Sequence, residues 1–397
     1  MKIATTWTTD EGVDDSVESA YQALKDKLGG TPSFMGVYGT VAYDLEQVLS
    51  TLRALAPVVP IQGGTSCLGV MTEEGFHGRD GSGLGLFGVR DPDGRYGVGA
   101  AVLGSDARRA AKAAMRQALT QADCAGEVPA LVWLTAAPGQ EEQVIAGISE
   151  VIGRDVPIVG GSAADNTVTG NWRQLANGEV FSDAVTVAAM FPSRELLWGF
   201  HSGYEPTAKR GTVTRAEGRT LLEIDGQPAA RVYNDWCGGE FSDVLGSGGN
   251  VLARTTLHPL AREVGKVGGV PYYQLSHPDA VTAQDGLSLF TDIAEGDDIV
   301  FMEGTVDSLV SRAGRVAAAA LDTYDARADE VAGALVVYCA GCMLTVQDRM
   351  DEVVEGLRSA LPGTPFLGLF TFGEQGCFVG GENRHGNLMI SVLLFRK

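Results

Sequence analysis

Three times this chain of 397 residues sets down the same succession of signals, and that repetition limits the fold more than its composition does. It reads SFMGVYG at 33–39, an acidic-started helical run at 44–55, and PIQGGTS at 60–66. The second copy is ALVWLT at 130–135, a helical run at 141–152, and PIVGGSA at 157–163. The third is ALVVYC at 334–339, a helical run at 346–361, and PFLGLFT at 365–371. Each copy closes on a predicted hairpin, 83–89 with 97–103, 172–176 with 184–190, and 375–379 with 388–395. A scaffold repeated in this way tends to build its binding site where the copies meet.

The order within a copy is helix, strand, helix, strand, hairpin. Leading helices are predicted over 14–28, 106–121 and 307–324, where Ala, Leu and Val recur at three- and four-residue spacing. An Asp sits in each first turn, where it favours the positive end of the helix dipole. The strands that follow (33–39, 130–135, 334–338) are continuous apolar runs, the pattern of strands buried on both faces. A strand–helix–strand unit of this length implies a right-handed parallel crossover. With the hairpin added, the fold class is α/β with mixed sheets and crossover helices, built from internal helix-strand-helix-strand-hairpin repeats.

A different stretch lies between the second and third copies. The runs 196–203 and 212–215 alternate as antiparallel strands, 221–226 reads as a strand into a turn, and 228–233 as a short helix opened by Pro228. Strands resume at 269–276, 288–291 and 298–302. The Gly-rich segment 236–250 is predicted to be a lid, since long structureless loops in compact domains are commonly functional. Pro192 and Ser193 interrupt the pattern, which gives an N-terminal domain over 1–191 holding two repeats and a C-terminal domain over 194–397 holding the insert and the third.

Fifty acidic residues against thirty basic ones give a formal charge of −20. A field of that sign repels phosphate backbones and anionic lipid, which argues against nucleic-acid and membrane partners. Six Cys residues without a secretory leader suggest reduced thiols and a cytoplasmic location. The GLGLFG at 83–88 fits a dinucleotide motif by letter only, because a strand rather than a helix continues after it.

The motifs GGTSCLG (63–69), PIVGGSAAD (157–165), EIDGQPA (223–229), His258-Pro-Leu, Cys339-Ala-Gly and Gly373-Glu374 with Asn383 and Asn387 resemble, in order and spacing, those of the FIST family. The resemblance covers essentially the whole chain as an N-terminal and a C-terminal FIST domain. It implies a sensory module that binds small ligands, amino acids among them, and hands the ligand state to a signalling partner. It also implies a narrower alternative, since some free-standing members bind heme b as nitric-oxide sensors acting on a histidine kinase.

Candidate site residues follow from the strand ends. In open α/β sheets ligands settle in the crevice beyond the strand C-termini, where Thr65, Ser66, Asp165, Asn166 and Glu374 supply short polar side chains. His201 ends an aromatic strand (Trp198, Phe200, Tyr204) suited to a pocket wall. Heme needs one well-placed imidazole in an apolar pocket, and His201, His258 and His385 are the candidate ligands. Cys339 is assigned to the ligand site, and with Cys342 it forms a CxxC that a thiol redox protein or enzyme could use. No nucleophile-elbow GxSxG surrounds Ser66 or Ser162. The expectation is therefore a non-catalytic sensor.

Overall fold

The computed structural model describes residues 1–10, 12–267, 270–378 and 380–397. Two expected strands, at 269–276 and 375–379, each include one residue outside that set. The chain is mixed α/β, as the residue pattern indicates, and the repeat extends one strand further upstream than the motifs suggest. Repeat 1 runs through Lys2–Thr8, helix Val13–Leu28, Phe34–Gly39, helix Leu45–Leu55, Ile61–Thr65, a short hairpin, and Leu84–Arg90. Repeat 2 starts at Arg95–Val102 and ends at Ala184–Phe191; repeat 3 starts at Leu196–His201 and ends at Ile390–Arg396. The third is interrupted after its first strand by an antiparallel insert from Glu205–Glu217 to Asp298–Glu303.

Local chemistry fixes the helix starts. Asp44 accepts hydrogen bonds from the backbone of Glu46 and Gln47, Asp106 from that of Arg109, and Thr305 makes a capping box with Ser308. The second and third strands of each repeat pair in parallel, as in Val37 opposite Gly63, Leu134 opposite Gly160 and Val337 opposite Leu369. Each six-stranded sheet turns one face to a shared central core containing Phe34, Phe87, Trp133, Leu335, Leu369 and Phe395. Helices cover the outer faces, which is why the strands are apolar throughout.

The hairpins differ from the sequence expectation. Segments 83–89 and 97–103 lie in different sheets, as do 174–176 and 184–190, and 375–378 and 390–395. Each closing strand is central, with both edges taken; Leu84–Arg90, for example, pairs with Lys2–Thr8 and Phe34–Gly39. The hairpins are instead Val70–Thr72 with Gly75–His77, Gln174–Ala176 with Glu179–Phe181, and Glu374–Phe378 with Glu382–Gly386. Each is exported to a neighbour. That of repeat 1 adds to Phe366–Thr371 of repeat 3, that of repeat 2 to Ile61–Thr65, and that of repeat 3 to Ile158–Ser162. The exchange closes a ring in which every repeat completes another's sheet.

The repeated Gly-Gly is required by this packing. A Cβ at Gly63 would lie 1.7 Å from the Val37 carbonyl oxygen, and one at Gly160 would lie 1.9 Å from that of Leu134. Strand Leu196–His201 pairs with Ile390–Arg396 and not with Glu205–Glu217, which joins the insert's sheet. The Gly-rich segment 236–250 is anchored there: Phe241 is buried, its N–H donates to Asn234 Oδ1, the Gly246 N–H donates to Asp285, and Arg254 holds Asp243 through two bonds of 3.0 Å. It is not a free lid. Among the described residues no helix is long and apolar enough to cross a membrane.

Candidate functional site

A cavity of about 610 Å³ opens where repeat 2, repeat 3 and the insert meet. Its floor is the C-terminal end of two neighbouring strands of repeat 3, with Cys339 closing one and Thr371 the other. Cys339 also caps the short helix Ala340–Thr345, which turns Gly341, Leu344 and Thr345 toward the cavity at helical spacing. Repeat 2 supplies Gly139, Glu141 and Trp172; the insert supplies Arg219, Leu252, Ala253, His277 and Phe290. Trp172 meets Phe372 edge to face at 6.1 Å. Two large apolar side chains at this cavity, Val168 and Leu344, are 48% and 43% exposed, which marks a mouth rather than a packed seam.

Two polar groups define the chemistry. Glu141, at the start of helix Glu141–Ile152, is 2% exposed and accepts from Gly139 N–H at 3.0 Å, Ser162 Oγ at 2.9 Å and Arg219 Nη2 at 2.7 Å. Burial pushes its carboxyl up, but His385, the Arg219 charge and these hydrogen bonds outweigh it and hold the group at about 2. Arg219 also reaches Glu142 at 2.6 Å and Asp292 at 3.1 Å, so one guanidinium faces three carboxylates. His277 is 3% exposed, and its Nε2 has no partner. Burial lowers the ring to about 4, so it is neutral at physiological pH. The Leu252 backbone raises the ring, as a carbonyl accepting from it does, and Nε2 has no partner, so the proton is assigned to Nδ1 and the acceptor role to Nε2. A methyl added at Gly341 would lie 3.7 Å from Cys339 Sγ and 3.8 Å from His277 Cε1, so thiol and imidazole share one corner.

Of the residues singled out from sequence, Cys339 lines this cavity and Glu374 lies just behind it, accepting from Thr371 Oγ1 at 2.8 Å and Met389 N–H at 2.9 Å. Burial and the neighbouring Cys339 push the Glu374 carboxyl well above its ordinary value. The remaining turn residues spend their polar atoms on the scaffold. Thr65 Oγ1 accepts from Arg173 N–H, and Ser66 Oγ accepts from Phe370 N–H while donating to Gly69 O. Asp165 accepts from the N–H groups of Thr167, Thr169 and Asn171, and Asn166 ties Leu68 N–H to Gly81 O across two repeats. His201 is exposed and accepts from Gly203 N–H. His277, Glu141, Arg219 and Trp172 were not singled out. The crevice argument reached one strand end of repeat 2 and overlooked the other, at 138–141, and His277 sits in the insert, outside the repeat pattern.

Heme b fits this arrangement poorly. His258 stacks on Phe301 in the insert's own core, and His385 is tied to Phe290 O at 3.1 Å and Gln375 Nε2 at 3.2 Å. His277 offers a nitrogen, but Arg219, already facing three carboxylates, is the only Arg or Lys among the described lining residues available to two propionates. Among the described residues no group of three or more His, Cys, Asp or Glu is placed to hold a metal ion. Cys339, at the cavity wall, hydrogen-bonds Cys342, which is fully buried behind it. That bond and burial push Cys339 up; for Cys342 burial is outweighed by the Cys339 bond, the Arg312 charge and the Tyr204 hydroxyl at 3.5 Å, which hold it below its ordinary value.

An uncharacterized protein of Methanocaldococcus jannaschii is 36% identical over 88 residues, 22% of this chain and 17% of that protein. A crystal structure of cyanuric acid hydrolase from A. caulinodans aligns over 100% of both chains at 10% identity, with a TM-score of 0.39. The domain matches are far broader: a FIST N domain over residues 33–227 and a FIST C domain over residues 229–377, so the chain belongs to the FIST family, whose domains are sensory modules of signal transduction.

Proposed function

We propose that this protein is a non-catalytic sensor whose small ligand occupies the cavity between repeat 2, repeat 3 and the insert, and whose ligand state is read by a signalling partner such as a histidine kinase. The observation that carries this reading is a mainly apolar cavity with a mouth, lined by a buried histidine whose Nε2 has no partner. Sites for small molecules have this character, an apolar lining with a few placed polar groups. Three bodies of the fold contribute walls, so a ligand favouring one spacing of insert and repeats shifts that equilibrium by its differential affinity. Amino acids and similar metabolites are within the volume.

The test is a thermal-shift screen of metabolites on the full chain and on Ala253→Trp. Ala253 is exposed at the cavity rim, so the indole fills the opening without disturbing a core. A ligand that binds the native state raises the melting temperature with its occupancy. The expected result is a shift in the parent chain that Ala253→Trp abolishes; an equal shift in both would place the ligand elsewhere. A second reading, a thiol redox protein, is favoured by the hydrogen-bonded Cys339–Cys342 pair. Under it, thiol titration would find two thiols lost on mild oxidation, and changing both to Ser would remove the response.

A further inference from the structure

Among the described residues at the cavity, Glu141, Thr256 and Thr371 spend their buried side-chain oxygens on the scaffold, which leaves the His277 ring as the group best placed to recognise what enters. His277 lines the cavity, its Nε2 lacks a partner, and the proton assigned to Nδ1 makes Nε2 an acceptor; its neighbours cover it, so a small shift of the ring must uncover it for a ligand. A buried acceptor left unpaired is costly, so the site favours a molecule that brings a donor to it. His277 is anchored by its backbone N–H, which donates to Asn387 Oδ1 at 3.4 Å, and its ring meets the edge of Phe290 at 6.1 Å. At the cavity wall Arg219 is already paired with Glu141, Glu142 and Asp292, so it offers no free charge to an anion. An anion entering this space meets the buried Glu141 carboxylate with no unpaired cation among the described lining residues to offset it. The rest of the wall, with Trp172, Phe290 and Phe372, suits a flat apolar body.

We propose, resting on the cavity reading above, that the ligand class is a flat, largely apolar molecule bearing an N–H donor and no net negative charge, which docks its N–H on Nε2 of His277. Acids with a net negative charge are disfavoured, since Arg219 is already paired. The donor supplies the specificity and the aromatic wall the affinity. A site built around a hydrogen bond rejects an analogue lacking that group far more strongly than an apolar pocket rejects a missing methylene.

The test uses three fragment probes on the full chain, by titration calorimetry or ligand-observed NMR: indole, 1-methylindole, which lacks the donor, and indole-3-acetate, which adds a carboxylate. Indole is expected to bind roughly tenfold or more tightly than either of the others, the ratio that one unmatched hydrogen bond gives. In His277→Leu the preference over 1-methylindole should collapse to about one, and His277→Gln, which restores an acceptor, should recover part of it. Equal binding of indole and 1-methylindole, or a preference that survives His277→Leu, would overturn the proposal. Tighter binding of indole-3-acetate than of indole would overturn the charge argument. If no probe binds while the metabolite screen finds a ligand that Ala253→Trp blocks, the ligand class is wrong and the cavity reading stands. If the screen is also silent, both fall.

Discussion

Replacing Arg219 by Met removes the guanidinium that joins the insert to repeat 2 over the cavity. Arg219 Nη2 lies 2.7 Å from Glu141 and 2.6 Å from Glu142, and Glu141 is 2% exposed. Stranding one member of a buried pair costs about 3–5 kcal/mol. The titration behaviour gives a second route to the magnitude. The carboxyl falls from 4.5 to about 2 in the folded protein, a depression worth roughly 3 kcal/mol that His385 shares with Arg219, so it bounds the Arg219 part from above. Ser162 Oγ and Gly139 N–H remain on Glu141 after the change, which sets the expected loss near the lower end, about 3 kcal/mol. The sign with pH follows from the depressed value: the stabilisation is complete above pH 4.5 and fades as pH falls through the window down to about 2. In Arg219→Met that fading begins at higher pH. Urea unfolding of the full chain at pH 7 and pH 4 measures both quantities. The double variant Glu141→Gln, Arg219→Met should regain roughly half the loss, because neutralising the stranded carboxylate removes its desolvation penalty. A loss below about 1 kcal/mol at pH 7, with the two single effects simply adding, would refute the reasoning.

Gly160→Ala should cost roughly 3 kcal/mol or prevent folding, since its Cβ would lie 1.9 Å from the Leu134 carbonyl oxygen, whereas Ala at exposed Gly126, with open space around it, should cost about 1 kcal/mol. Thermal melts of the two variants compare them directly. His277 and His77 are both lowered by burial from 6.5 to about 4, so each contributes stability that is complete above pH 6.5 and lost as pH falls toward 4. His277→Leu should therefore flatten part of the stability slope over that window, read by unfolding at stepped pH. Under iodoacetamide the half-exposed Cys237 should label first and Cys339 next, while the fully buried Cys342 stays unmodified; peptide mass spectrometry gives the order, and cavity ligand should slow Cys339 alone.

Local pattern carried the strands and helices, because a buried strand is apolar throughout and a helix start needs a cap such as Asp44 or Asp106. The exchange of hairpins was not legible. Whether strand Leu84–Arg90 pairs with Arg95–Val102 or with Lys2–Thr8 depends on which edges are free, and no residue of either strand encodes that. The turn residues misled for a related reason. Asp165 and Asn166 have the chemistry of a binding turn, yet in a ring of interlocked repeats the same groups are needed to satisfy backbone N–H groups across the junctions. Cys339 was found because it ends a repeated strand. His277 was not, since its significance lies in an unpaired nitrogen that only the packing of the insert creates.

Hydrogen exchange with and without the first metabolite that shifts the melting temperature locates the bound ligand segment by segment. With ligand in this cavity, exchange slows at 138–141, 250–256, 275–277 and 339–345, where its walls lie, and none of that slowing appears in Ala253→Trp. Protection confined instead to the turns at Thr65 and Asp165, or to the open groove beside Trp7 and Glu74, would contradict it.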